Sequence, residues 1–188
     1  MCSIVTSIFI AHAGRSLVAG EDVLEVGAGC GLCGMTAARF AARTFLTDNE
    51  PEVLTLLHTN VDKYARDSAF VADLSWGSRA DESALATLSG RSRWRVIVGA
   101  DVVYWSHAVP LLFDSIQNLL APDGVFILGF TNRTNGLKDA VEAAATSAGL
   151  SWTTHPLDSF LPADLPADFG IASYSAKITL YVMRCSKV

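Results

Sequence analysis

The stretch Val23-Leu24-Glu25-Val26-Gly27-Ala28-Gly29-Cys30-Gly31 decides the fold. Its first four residues, apolar except for Glu25, read as a buried strand. Three glycines at alternate positions then turn the chain tightly, and the Ala-rich segment 32–43, closed by arginines, reads as the helix that follows. A strand that passes through glycines directly into a helix opens a βαβ unit, and so belongs to a parallel sheet.

The spacing of those glycines bears on what the turn holds. A dinucleotide fingerprint is G-x-G-x-x-G, whereas this turn is G-x-G-x-G, with Leu32 where the last glycine is required. Glu25 stands two residues before the first glycine, where a carboxylate would repel a pyrophosphate. It suits a ligand with a cationic end, such as the ammonium of S-adenosylmethionine. Asp48 lies about 20 residues downstream at the tip of the second strand, where an acid can accept both hydroxyls of a ribose. NAD and S-adenosylmethionine sites share that feature, so the glycine spacing and Glu25 are what disfavour a dehydrogenase.

Outward from the turn, strands are expected at 44–47, 68–74, 95–99, 125–130, 151–157 and 176–185, and helices at 4–13, 51–64, 110–120 and 137–148. Asn49-Glu50-Pro51-Glu52 carries helix-start signals: a capping Asn, Pro in the first turn and acids near the positive end of the dipole. The helix it opens has Val53, Leu54, Leu56, Leu57, Val61 and Tyr64 on one side. Residues 78–93 read as polar helix or loop, and Pro122-Asp123-Gly124 as a turn. The last two strands have no helix between them, so one must run antiparallel. The expected fold is therefore α/β: a doubly wound, Rossmann-like, seven-stranded sheet, mostly parallel, with an antiparallel C-terminal strand and helices on both faces. The 188 residues form one domain, an N-terminal helix over 1–19 and a core over 20–188.

Composition narrows the function classes. A net charge of −5 argues against a nucleic-acid binder, which needs a basic face. The one local basic cluster, Arg91, Arg93 and Arg95 around Trp94, reads as a solvated lead-in to the next strand. Cys30 and Cys33 form a C-x-x-C, but no second pair and no histidine pair follows at ligand spacing, so no metal is expected. The four scattered cysteines fit a reducing compartment rather than a disulfide framework. The apolar run 4–13 has no basic segment before it and is too short to span a bilayer. It reads as a helix packed through Ile4, Ile8, Ala11 and Leu17, with Val5 and Phe9 beside them. The chain has no G-x-S-x-G, and its four histidines are scattered without a partner pattern.

VLEVGAGCGL, then TDNEPEVL with Asn60 after it, then DLSWG, then GADVVYW resemble, in that order, the small class I seven-strand methyltransferases related to the protein-lysine methyltransferases. The glycine motif is general to such enzymes; the Leu-Ser-Trp-Gly segment and the D-x-x-Y of Asp101 to Tyr104 are narrower. The resemblance implies S-adenosylmethionine as the methyl donor, with Glu25, Gly27 and Gly29 bordering its methionine part. Asp48 would hold the ribose, Asn49 would lie beside the adenine, Asp73, Leu74 and Trp76 would close over it, and Ala100 would also border the cofactor. Asp101 would accept hydrogen bonds from the substrate amine, and Tyr104, with Trp105, would wall the channel. It further implies a monomer that methylates a protein side-chain nitrogen, lysine above all, in the cytoplasm, with the nucleus also open. Arginine, histidine, a small molecule, or a binding module without turnover remain alternatives. Members of that group carry more sequence ahead of the first helix, an arm that helps shape the substrate entrance. In the loop 158–173, Phe160, Asp164, Asp168 and Phe169 are candidates for contact with a basic, partly apolar protein surface.

Overall fold

In the computed structural model, which describes residues 1–162 and 177–186, the strands are β1 (Asp22–Val26), β2 (Arg43–Asp48), β3 (Ala69–Asp73), β4 (Trp94–Ala100), β5 (Leu120–Thr131), β6 (Leu150–His155) and β7 (Ile178–Cys185). They form one seven-stranded sheet in the order β3-β2-β1-β4-β5-β7-β6. The first five are parallel neighbours, and β7 inserts antiparallel between β5 and β6. The expected hairpin is therefore present, and its last strand is the one that reverses. The order changes direction between β1 and β4, and the crevice above that switch point, at the carboxyl ends of the strands, is where such sheets bind ligands.

Alternation along the strands sorts the helices into layers. Leu24, Val26, Ile97, Phe126 and Leu128 face α5 (Arg79–Ser89), α6 (Val109–Leu119) and α7 (Leu137–Ser147). Val23, Val96, Val98 and Ile127 face α1 (Cys2–Ala11), α2 (Arg15–Val18) and α3 (Leu32–Ala37). Leu46 packs with Leu57 and Val61 of α4 (Pro51–Tyr64). Among the described residues no helix is long and apolar enough to cross a membrane.

Several local expectations are corrected. The buried residues of α1 are Cys2, Val5, Thr6, Ser7, Phe9 and Ile10, while Ile4 and Ile8 are only half-buried. Gly129 of β5 makes this possible: a Cβ there would lie 2.0 Å from Thr6 Oγ1, so its absence lets the helix approach, and Thr6 satisfies its hydroxyl on the Cys2 carbonyl at 3.0 Å. Helix α3 ends at Ala37 rather than continuing to Arg43, because the following residues are taken up by the approach to β1. Gly20 N–H donates to the Phe40 carbonyl, Ala42 N–H donates to the Glu21 carbonyl, and the Arg43 side chain pairs with Asp22. Asn49 does not cap α4. Glu50 holds the cap position, and the amides of Asn49 and Glu50 donate to Asp48 instead. On α4 only Leu57 and Val61 are fully buried; Leu56 and Tyr64 are exposed.

Residues 79–89 form the regular helix α5, capped by Ser78 Oγ accepting from Asp81 N–H and closed by Gly90 at φ 76°. Strand β5 starts at Leu120 and runs through the expected Pro-Asp-Gly turn, with a register shift opposite Arg95 that absorbs the extra residues and the proline's missing N–H. The three arginines around Trp94 are solvated, Arg93 and Arg95 being exposed, and each is also engaged. Arg91 pairs with Asp22, Arg93 donates to the Leu120 carbonyl at 2.8 Å, and Arg95 lies 3.2 Å from Glu21 and 3.3 Å from Asp123.

Candidate active site

The turn after β1 takes its shape from three residues in the left-handed region, Gly27, Gly29 and Gly31, at φ 61°, 56° and 82°. That conformation costs an L side chain roughly 1–2 kcal/mol. At Gly27 space is also short, since a Cβ would lie 2.9 Å from Val102 Cγ1 and 3.2 Å from Trp76 Cζ2. The turn is tied to its neighbours: Ala28 N–H donates to the Thr47 carbonyl at 2.8 Å, and Asn60 Nδ2 of α4 donates to the Cys30 carbonyl at 2.9 Å.

Asp48 ends β2 beside the turn. Its Oδ2 accepts from Gly29 N–H at 3.0 Å, and its Oδ1 accepts from Asn49 N–H at 2.9 Å. Oδ1 also accepts from Glu50 N–H at 3.3 Å, while Oδ2 can take a second donor, so the group is fixed in place with acceptor capacity left over.

Glu25 lies beneath the turn, not on the cavity wall. It is 2% exposed, and its Oε2 accepts from Gly34 N–H in the first turn of α3 at 2.8 Å. Burial pushes its carboxyl up to about 8, against the downward pull of the Gly34 amide. Its role in this geometry is to hold the helix that carries the turn.

Two cavities of about 400 and 440 Å³ open above the carboxyl ends of β1, β2 and β4, and share Gly27, Asp48, Asn49, Trp76 and Trp105 in their walls. The first is also lined by Gly29, Ala100, Asp101 and Tyr104, the second by Leu74. Of the residues singled out in the sequence, these therefore meet at one place. Asp73 is exposed at the end of β3 and lines neither cavity. Cys30, weighed in the sequence only as half of a C-x-x-C, and Ser3, which was not singled out there, line the first cavity, while Cys33 is buried behind the turn with its Sγ 3.4 Å from the Ser3 carbonyl.

Asp101 follows β4 with φ 60°, the only non-glycine at positive φ among the described residues; Asp and Asn are the residues that tolerate it best. Its N–H donates to the Gly129 carbonyl at 2.8 Å. Tyr104 and Trp105, 45% and 65% exposed, stand at the cavity mouth with ring centroids 5.8 Å apart. Arg133, just past the end of β5, went unremarked in the sequence. Its Nη2 lies 2.6 Å from Asp101 Oδ2, and its Cζ lies 4.7 Å from the centre of the Tyr104 ring. No local signal in the sequence marks it; its meaning comes from the pairing of β5 with β4, which sets it beside Asp101.

Phe160 is buried against Phe9, with ring centroids 5.3 Å apart, and Phe9 in turn packs on His155. It belongs to the core and not to a docking surface. Asp164, Asp168 and Phe169 lie outside the described residues.

Comparison with known proteins agrees with this geometry. The profile of a family described as lysine methyltransferase matches residues 1–146. Protein N-lysine methyltransferase METTL21A of Danio rerio is 33% identical over 129 residues, covering 67% of this chain and 56% of the relative. EEF1A lysine methyltransferase 3 of Mus musculus is 31% identical over 112 residues, covering 58% and 44% respectively. The chain thus spans about half the length of the curated relatives it matches. Among solved structures, the CcbJ methyltransferase of Streptomyces caelestis superposes with a TM-score of 0.70 at 13% identity, covering 98% of this chain and 90% of that one. A TehB-like SAM-dependent methyltransferase of Corynebacterium glutamicum gives 0.67 at 15%, covering 96% and 88%. At such identities these two structures speak to the fold alone.

Proposed function

Because the chain belongs to the lysine methyltransferase family, we propose that it transfers a methyl group from S-adenosylmethionine to the side-chain nitrogen of a lysine in a protein substrate. The observation that carries this reading is that Asp48 and the glycine turn share one cavity wall with Asp101 and Tyr104, so donor-side and acceptor-side groups face the same space.

The residues present fit the cofactor. The Asp48 carboxylate is already oriented by three backbone amides and keeps a free acceptor site on Oδ2, which suits a hydroxyl of a ribose. Gly27 leaves room for Trp76 and Val102 to close on the turn, and the missing Cβ of Gly29 would meet nothing within 4 Å, leaving that part of the turn open to a ligand. Leu74 and Trp76 supply apolar and aromatic surface for a purine. When bound, S-adenosylmethionine supplies a methyl group on a sulfonium, already activated for transfer. What the chain's own residues must do is position: Asp101 accepts a hydrogen bond from the substrate amine, while Tyr104 and Trp105 grip the aliphatic stem and hold solvent away.

Calorimetric titration with S-adenosylmethionine, S-adenosylhomocysteine and NAD tests the cofactor. Selective binding of the first two is expected, and binding of NAD in their place would overturn the reading. Incubating protein extract with tritiated donor tests the acceptor: label in lysine, lost in Asp101→Ala, supports the assignment, and label confined to other residue types refutes it.

A further inference from the structure

Only a neutral amine has the lone pair that methyl transfer needs, and an ionised carboxylate beside it favours the ammonium form. Asp101 is therefore well placed to orient a lysine but badly placed to let it lose its proton, unless its charge is offset. Arg133 supplies that offset. It reaches over from the end of β5 to Asp101 Oδ2 at 2.6 Å, and its guanidinium lies over the Tyr104 ring at 4.7 Å. The pair bridges the ends of two adjacent parallel strands, which are themselves tied by the Asp101 N–H bond to Gly129. Asp101 Oδ1, in contrast, is buried and has no hydrogen-bond partner among the described residues. One oxygen of the carboxylate is thus charge-balanced, and the other is an unspent acceptor in a residue that lines the cavity.

On the premise of lysine methylation proposed above, we infer that Arg133 is a positioning residue: it neutralises Asp101 so that the carboxylate aligns the substrate amine without holding it as an ammonium. The other titratable groups facing this pair are Cys2 of α1, Tyr104 itself, and Cys30, Asp48 and Glu50 across the cavity, with His107 stacked on Trp105 at the mouth. None of these carries a permanent positive charge, so Arg133, held against Asp101 and Tyr104, is the one permanent cation among the described residues that surround the pair.

The test compares kcat against pH for the full chain, using a degenerate peptide pool with one fixed central lysine and tritiated S-adenosylmethionine. Because kcat reports groups in the bound complex, Arg133→Gln should move its rising limb up by about one pH unit, a loss of about tenfold at a fixed pH below the limb. Arg133→Lys should restore the limb. Asp101→Asn/Arg133→Gln should also restore its position, even at a lower rate, since Asn keeps an acceptor and tolerates positive φ.

A second readout needs no substrate. Burial and Asp101 hold the Tyr104 phenol above the usual range while Arg133 pulls it down. Nuclear magnetic resonance of ¹³Cζ-labelled tyrosine should therefore show Tyr104 titrating higher in Arg133→Gln and returning in the double variant. Raised turnover at every pH in Arg133→Gln with an unmoved limb would mean that Arg133 merely occupies the acceptor position, and would overturn the inference. So would an unmoved limb with unchanged turnover. Failure of the wild type to bind S-adenosylmethionine, or to methylate either the pool or an extract, would instead overturn the proposed function and this inference with it.

Discussion

The two halves of the site are built from different materials. On the donor side, backbone does most of the shaping. Three glycines at positive φ, the amides that fix Asp48, and the Asn60 bond to Cys30 make a surface whose form is set before any ligand arrives. On the acceptor side the surface is made of side chains, two exposed aromatic rings and an arginine that reaches across from another strand. Backbone-built surfaces are rigid and suit a ligand that is always the same; side-chain surfaces can yield to a substrate that arrives on another protein.

If the donor side is pre-formed around Asp48, its loss should have the largest effect of any single change. Asp48→Ala removes the charged acceptor for the ligand and releases the Gly29, Asn49 and Glu50 amides. Hydrogen bonds to a charged group are worth about 1.5–3 kcal/mol each, so affinity for S-adenosylmethionine should fall by roughly 100-fold. Unchanged affinity in a calorimetric titration would break the contrast at its root.

The glycines sharpen the same contrast. At Gly27 a methyl group meets Val102 and Trp76 in a left-handed conformation, so Gly27→Ala should cost about 2 kcal/mol of stability and lower Tm by about 4–8 °C. At Gly29 the added Cβ meets nothing within 4 Å. Gly29→Ala should therefore lower Tm less than Gly27→Ala and act chiefly on cofactor affinity. Equal losses of Tm at the two positions would show that the turn tolerates no methyl group anywhere, whatever the local space.

Beneath the turn, Glu25 ties stability to pH. Its carboxyl is pushed from an ordinary 4.5 up to about 8 by burial. With the folded value above the unfolded one, its contribution is complete below pH 4.5 and is lost as pH rises through 8. The slope in that window is at most about 1.4 kcal/mol per pH unit. Glu25→Gln keeps the acceptor for the Gly34 amide but has no proton to lose, so Tm should become flatter across the window. A variant with the wild-type slope would place the titrating group elsewhere.

How much of this was legible in the sequence follows from the same division of materials. Strand–helix alternation, the glycine turn and Asp48 are local patterns, and local patterns specify backbone. The helix stripe of α1 was misread because its contact surface depends on Gly129, more than a hundred residues away, whose missing Cβ makes Cys2 and Thr6 better core residues than the more hydrophobic Ile4 and Ile8. Helix α5 was left undecided because its inward face carries one buried apolar side chain, Leu85, beside the polar Glu82 and Ser89, and its ends are set by Ser78 and Gly90. Arg133 was invisible because nothing local distinguishes an arginine in a polar loop; what gives it meaning is the pairing of β5 with β4, which sets it beside Asp101.

The smallest effect is expected at the mouth of the cavity, and it probes the yielding half directly. Trp105 is mostly exposed, stacks on His107 with centroids 5.9 Å apart, and lies beside Tyr104. A ring so placed meets an incoming lysine before the reacting geometry forms. Its attraction for a cation is worth about 0.5–1 kcal/mol at an exposed position. Trp105→Ala should thus raise KM for the lysine peptide pool about two- to fivefold and leave kcat unchanged, the pattern of an interaction made equally in ground and transition states. A fall in kcat with KM unchanged would mean that the ring helps fix the amine at the moment of transfer. The acceptor half would then be as pre-formed as the donor half, and the division between the two would not hold.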